Sequence, residues 1–186
     1  MCGLEEHTHT AACLSDVTAD VETAADWEVT LPANVSDDWA EAVVAIAQSQ
    51  LGYSESTLNY VLDEDGETLR GYTRYGAWAG NEYGNWDAMF ASFCLSYAGL
   101  STEDFPQATG AYAWAVKLEN LGLYAAAADY TPVAGNLVFL DSDADGKIDL
   151  VGIVITVDEE NNSLTVIEGI MLLRTARTRC ARWCMG

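Results

Sequence analysis

The spacing of apolar residues changes along the chain, and this change most constrains the fold. Trp39, Val43 and Ile46 recur at the spacing of one helix face. Beyond residue 136, three β-branched runs separated by turn residues replace that pattern. The runs are residues 137–140, 151–157 and 164–167. Helices followed by strands predict an α+β domain, with N-terminal helices packed on an antiparallel β-meander.

Capping and turn residues predict the element boundaries. Ser36 is the expected N-cap of the first helix and Gly52 follows its end. Asn85 is the expected cap of the second helix. The second and third helices are predicted over residues 86–97 and 112–121. Asp145-Gly146 and residues 160–162 are predicted to be the turns of the meander.

Residues 53–84 are rich in Gly, Tyr and Asn and show no clear period. They are expected to form a long loop with little regular structure. A loop of this length inside a domain is often functional. An aromatic-rich loop that only packs over the core explains the same composition, so both interpretations stay open.

The acidic composition restricts the partners. The 186 residues include 29 acidic and 8 basic side chains, a net charge of −21. Nucleic acid is excluded as a partner, because its phosphates bind Lys and Arg. Adhesion to anionic membranes is excluded for the same reason. No apolar run is long enough to span a bilayer, so no membrane insertion is expected.

Two segments resemble a known family. Residues 83–90 read YGNWDAMF and residues 149–154 read DLVGIV. They resemble the two active-site segments of the CHAP domain (cysteine, histidine-dependent amidohydrolase/peptidase), which is papain-like and related to the NlpC-type cell-wall peptidases. The similarity extends to AIAQSQLG at 45–52, YTRYG at 72–76 and PVAGNLVF at 132–139. It covers roughly residues 36–170 and implies a papain-like fold.

The resemblance also implies which positions are catalytic. Active relatives cut peptide or amide bonds in peptidoglycan with a Cys at a helix start, a His on a neighbouring strand and a third polar residue that orients the His. Matched position by position, these are Asp87, Leu150 and Glu168. Asp87 and Leu150 therefore replace the nucleophile and the base, and only the third position keeps a polar residue, Glu168.

The histidine count supports the same conclusion without any alignment. The chain has two histidines, His7 and His9, and both precede the domain. Cys–His chemistry is therefore predicted to be lost, which favours a protein that is not an enzyme. Cys94 lies about 10 Å along the helix from Asp87 and is interpreted as an inert core residue. Acid–base work by the pair Asp87 and Glu168 is the alternative enzymatic hypothesis. A carboxylate at a helix start, such as that of Asp87, is expected to have a lowered pKa.

Aromatic residues suggest what the scaffold does instead. The expected groove is lined by Tyr75, Trp78, Tyr83 and Trp86. The predicted function is a degenerate CHAP-like domain of a bacterial cell-surface protein that binds peptidoglycan or cell-wall peptide without hydrolysis. The alternative is a structural surface module, stabilised by calcium.

The calcium hypothesis comes from residues 141–149, which read DSDADGKID. Oxygen-bearing side chains alternate as in the first part of an EF-hand loop, but strands flank the segment and the final Glu is missing. The expected calcium ligands are Asp141, Asp143, Asp145 and Asp149. A solvated hairpin turn without metal is the competing interpretation.

The N-terminal segment, residues 1–34, is expected to be a separate segment or linker. Cys2, His7, His9 and Cys13 offer four soft ligands for zinc, although the spacing also allows a Cys2–Cys13 disulfide or an unstructured linker. The stretch resembles short Cys/His segments of large surface proteins from Gram-positive anaerobes. That resemblance implies a secreted or cell-surface location for a larger parent protein.

The last segment, residues 171–186, differs sharply from the rest. It carries four of the eight basic residues and no Asp or Glu. One hypothesis is an out-of-frame or artificial ending, and the other is a native Arg-rich helix. The expected organisation is therefore a segment over 1–34, a CHAP-like domain over 35–170 and a basic tail over 171–186.

Overall fold

The computed structural model of the chain describes residues 14–170. Within this range there are five helices and five strands. The helices are α1 (Ala24–Glu28), α2 (Trp39–Ser49), α3 (Arg74–Ala79), α4 (Asp87–Tyr97) and α5 (Ala111–Asn120). The strands are β1 (Tyr60–Leu62), β2 (Leu69–Gly71), β3 (Leu137–Leu140), β4 (Leu150–Asp158) and β5 (Ser163–Glu168). None of the described helices is long and apolar enough to cross a membrane.

Strands β3, β4 and β5 form one antiparallel sheet with β4 in the centre. Leu137 of β3 and Ile167 of β5 both lie opposite Ile153 of β4. The chain turns back on itself twice, at the two turns that the sequence predicts. The α+β class and the antiparallel meander are therefore confirmed. Strands β1 and β2 form a separate antiparallel hairpin.

Helix α4 lies in the middle of the core. Nine of its eleven residues are buried, so it is buried on all sides rather than along one stripe. It packs against α2, α3 and β4. Phe90 and Phe93 both meet the ring of Tyr75 edge-on, with ring centroids 5.2 Å apart. This packing holds the start of α4 close to the start of β4.

Two helix caps differ from the sequence prediction. Asp38 rather than Ser36 is the N-cap of α2, where its carboxylate accepts two backbone N–H groups. Trp86 rather than Asn85 is the N-cap of α4. The Asn85 Oδ1 atom instead accepts a hydrogen bond from the Arg70 guanidinium at 2.8 Å. The Asn85 side chain therefore binds Arg70, fifteen residues away, instead of capping α4.

The prediction of an irregular loop over residues 53–84 is wrong, because this range contains β1, β2 and α3. The strands have three residues each, too few for a visible period. Helix α3 has six residues and is defined by its caps. Thr73 accepts the Gly76 N–H at its start, and Gly80 adopts the left-handed conformation at its end.

Residues 14–34 pack on the domain and are not a separate linker. The Ser15 hydroxyl donates to the Tyr60 carbonyl at 2.7 Å, and the Asn59 amide donates to the carbonyls of Val17 and Ala19. The Trp27 side chain is buried in the core. The boundary expected after residue 34 is therefore corrected for the described part of this segment.

Candidate functional site

The start of α4 meets the start of β4 through Asp87. This side chain is only 4% exposed, and its Oδ2 atom accepts the backbone N–H of Val151 at 3.0 Å. Because Asp87 is also the first residue of α4, its carboxylate lies beside the unpaired N–H groups of the first turn. The carboxylate therefore ties the helix start to the central strand.

Burial raises the pKa of Asp87 to about 6. Removal from water disfavours the charged form, and the nearby Asp149 carboxylate adds to the shift. Backbone hydrogen bonds from Ala88 and Val151 oppose it, because they stabilise the carboxylate. The sequence prediction of a lowered pKa at a helix start is therefore wrong, since desolvation outweighs the helix terminus here.

The structure brings the three positions matched to the family close together. Leu150, the first residue of β4, directly precedes the Val151 that binds Asp87. Gly152, two residues further along β4, pairs with Glu168 of β5. Chemically this is a poor centre for amide hydrolysis. Leu150 cannot transfer a proton, and the carboxylate of Asp87 is engaged by the backbone.

Two of the four residues expected to line a groove are in the core. Tyr75 is fully buried and Trp86 is 6% exposed, with their rings stacked 5.3 Å apart. This corrects the expectation that they face a ligand, because aromatic packing against α4 removes their surface. Trp78 and Tyr83 are only partly buried. The Tyr83 hydroxyl donates to the Asn59 Oδ1 atom at 2.8 Å.

Two further side chains near α4, those of Cys94 and Trp86, are buried in the core and are not placed for catalysis. Cys94 is fully buried, and burial raises the pKa of its thiol, as expected for an inert core residue. The Trp86 Nε1 atom has no hydrogen-bond partner among residues 14–170. Gly169 is required beside this indole, since a Cβ there would lie 2.5 Å from a ring carbon of Trp86.

The acidic hairpin gathers three of its four expected calcium ligands. Carboxylate oxygens of Asp141, Asp143 and Asp149 all lie within 4.8 Å of one another. Asp145 is outside this group, and its side chain lies 3.5 Å from the Lys147 ammonium. Oxygen ligands at this spacing suit Ca²⁺, so the calcium hypothesis keeps three of its ligands. Cys2, His7, His9 and Cys13, the zinc or disulfide residues, lie outside the described residues.

Sequence reasoning missed a buried polar network around Arg74, which is 8% exposed. Its Nε and Nη2 atoms donate to the two carboxylate oxygens of Glu22, both at 2.6 Å. Nη1 donates to Gln50 at 3.1 Å and to Thr30 at 3.2 Å. The guanidinium lies 4.4 Å from the centre of the Tyr53 ring. The available signal was the position of Arg74 between Tyr72 and Tyr75.

Comparisons with protein-family models, with curated proteins and with solved structures found no match for this chain.

Proposed function

We propose that this chain is a degenerate, papain-like CHAP scaffold that binds peptidoglycan or cell-wall peptide and does not hydrolyse it. It acts at the surface of a bacterial cell as part of a larger protein. The observation that carries the proposal is the hydrogen bond from the Val151 N–H to Asp87. At the position where the family resemblance requires a nucleophile, this chain has a buried carboxylate that holds the helix to the strand.

The loss of hydrolysis follows from the groups around that carboxylate. A Cys–His mechanism needs a base beside the nucleophile, and no His occurs between residues 14 and 170. Leu150 offers only an apolar side chain in that place. The elements around the position are nevertheless well packed, because Val151 and Ile153 are fully buried. A packed scaffold that lacks the reactive groups favours binding without hydrolysis.

The proposal is tested with purified peptidoglycan, by measuring both the bound fraction and the release of soluble fragments. We expect binding without release. Measurable hydrolysis by the unmodified chain would refute the proposal, and loss of that hydrolysis in both Asp87→Asn and Glu168→Gln would favour the carboxylate-pair enzyme. A chain carrying Asp87→Cys with Leu150→His is the comparison, and hydrolysis by this variant alone would support a retained amidase scaffold. If the chain neither binds nor hydrolyses peptidoglycan, the cell wall is not its partner.

A structural module stabilised by calcium is the second candidate, favoured by the grouping of Asp141, Asp143 and Asp149. Calcium that binds only the folded chain would raise its Tm, by about 5 °C when its concentration is about ten times Kd. The measurement is a melting curve in calcium and in chelator. Asp143→Asn should abolish the rise, whereas Asp145→Asn, which changes the same charge outside the group, should retain it. An equal effect of both variants would contradict a defined site.

A further inference from the structure

Strand β3 is an open edge of the main sheet. Among the strands of residues 14–170 it pairs with β4 alone, so its other side has no strand neighbour within that range. The opposite edge is β5, which leads directly into residues outside the described range. Both segments that flank β3 are described, and neither forms a strand beside it. The open side of β3 is therefore a feature of the described fold itself.

Backbone hydrogen bonds show which groups of β3 face the open side. The Asn136 carbonyl accepts the Val154 N–H at 2.8 Å, so it faces β4. The residue of β4 opposite Phe139 donates its N–H to the Asp87 carboxylate. Because backbone groups alternate in direction along an antiparallel strand, those of Leu137 and Phe139 point away from β4. These groups can pair with a further strand.

Exposed apolar side chains border this open edge. Tyr130 and Val133 are 50% and 55% exposed, and the Tyr130 hydroxyl and the Val133 N–H both bond to the Asn136 amide oxygen at 3.0 Å. The Tyr124 ring, 38% exposed, lies 6.0 Å from the Phe139 ring. We call β3 and these three exposed residues the edge patch. Exposed apolar surface beside an open strand is typical of an interaction site.

The edge patch lies in a sparsely charged part of an acidic chain. Between residues 105 and 140 the charged side chains are Lys117, Glu119 and Asp129, whereas the whole chain has 29 acidic residues and a net charge of −21. Two copies repel each other wherever their acidic surfaces meet, and the repulsion is weakest where charges are few. Depletion of charged residues is also characteristic of interface cores. The charge distribution therefore favours contact between copies through this patch.

We propose that two copies of this chain dimerise by antiparallel pairing of their β3 strands, across a two-fold axis at Val138. The two three-stranded sheets then form one continuous sheet. The Leu137 backbone of one copy bonds to the Phe139 backbone of the other. The two Asp141 carboxylates lie at opposite ends of the pairing, about 20 Å apart along the strands. A parallel arrangement would instead place them side by side, where like charges are destabilising.

A second copy suits the edge patch better than an unrelated extended peptide. A peptide gains only the backbone bonds of a four-residue strand and the contacts of one patch. A second copy also brings its own Tyr124, Tyr130 and Val133, so each patch is covered by the other. Stable interfaces bury about 800 Å² per partner, more than so short a strand supplies alone. We therefore expect a weak, reversible dimer, with a Kd of about 10 µM. The proposal is independent of whether the domain binds cell wall.

Sedimentation equilibrium of the full chain tests the dimer, in reducing buffer with about 300 mM NaCl to screen its charge. We expect a monomer–dimer equilibrium. Val138→Asp should raise Kd about tenfold or more, because it places two carboxylates across the axis. Val61→Asp is the matched control, since it adds the same charge to β1 in the separate hairpin and should leave Kd unchanged. A monomer at about 100 µM, or an equal effect of both variants, would overturn the proposal.

Cross-linking locates the axis without adding a charge. Val138→Cys is made in a full chain in which serine replaces every cysteine except the buried Cys94. Opposite Cα atoms in a non-hydrogen-bonded antiparallel pair are about 4.5 Å apart, a distance that a disulfide spans. Mild oxidation above Kd should convert most of this chain into a covalent dimer, whereas Val61→Cys in the same background should stay largely monomeric. Equal cross-linking of both variants, or none in either, would overturn the assigned edge.

Discussion

At the residue scale, Asp87 shows how burial changes what one carboxylate contributes to the stability of the fold. Its carboxylate joins α4 to β4 through the backbone of Val151. The same burial makes the charged form costly and raises the pKa to about 6. The ordinary value for this side chain is 3.8. Asp87 therefore strengthens the helix–strand junction least in its ionised form.

This pKa shift predicts how stability depends on pH. A carboxyl group with a raised pKa in the folded state contributes stability below about pH 3.8, and that contribution is lost as pH rises through about 6. The loss is about 3 kcal/mol, since one pKa unit corresponds to ~1.4 kcal/mol. Asp87→Asn cannot ionise. We therefore expect its free energy of unfolding, relative to the unmodified chain, to increase between pH 4 and pH 7.5.

Urea denaturation across this pH range measures the difference. Glu103→Gln is the control, because Glu103 is exposed and its substitution removes one carboxylate from the surface rather than from the core. Parallel profiles for Asp87→Asn and the unmodified chain would show that Asp87 is not the buried titrating group.

At the scale of elements, the N-terminal part of the domain depends on side chains that lie far away in sequence. Glu22 binds Arg74 across 52 residues, and the Trp27 indole N–H donates to the Tyr97 hydroxyl at 2.8 Å. Residues 14–34 have little regular structure apart from the five-residue α1. Their position is therefore determined by these contacts, which cannot be predicted from the local sequence.

Arg74→Met tests the main contact of this part. It leaves the Glu22 carboxylate without its guanidinium partner and removes one of the two donors to the Gln50 carbonyl, the other being the Tyr75 hydroxyl. In this largely buried network the change should cost about 3 kcal/mol of unfolding free energy. Limited proteolysis should also cleave within residues 14–34 faster. Arg70→Met is the matched control, because the pair of Arg70 with Asp63 is more exposed and screened by water. A loss no greater than that of the control would contradict the assigned role of Arg74.

At the scale of the whole molecule, the charge is the dominant feature. The full sequence carries a net charge of −21, and its basic residues are concentrated in the last segment. Residues 14–170 include two Arg–carboxylate pairs and one Lys–Asp pair, against many more acidic than basic side chains. Most acidic side chains therefore repel one another on the surface, and this repulsion acts against the compact state.

Salt should accordingly stabilise the fold. Raising the NaCl concentration from about 10 mM to about 300 mM shortens the screening length and should increase Tm by a few degrees. Calorimetry measures the change, and choline chloride at the same ionic strength separates screening from specific binding of sodium. A constant or falling Tm in both salts would mean that the surface charges are already balanced.

Local spacing and composition were sufficient to predict part of this protein. The order of helices and strands and the two turns of the meander follow from residues that are neighbours in the chain. The absence of His after His9 excludes Cys–His chemistry within residues 14–170 without reference to any fold. Capping was predicted less well, as Asn85 shows, because its side chain has a stronger partner elsewhere.

Which side chains are buried, and what they contact, became known from the folded chain alone. Tyr75 and Trp86 read as ligand-facing aromatics, yet packing against α4 places them in the core. Asp87 reads as a helix-start carboxylate with a lowered pKa, yet burial in the folded chain desolvates it and raises its pKa. The polar network around Arg74 joins Glu22 and Gln50, which are distant from it in sequence. Burial and long-range contacts depend on how the elements pack, and spacing along the chain does not specify that packing.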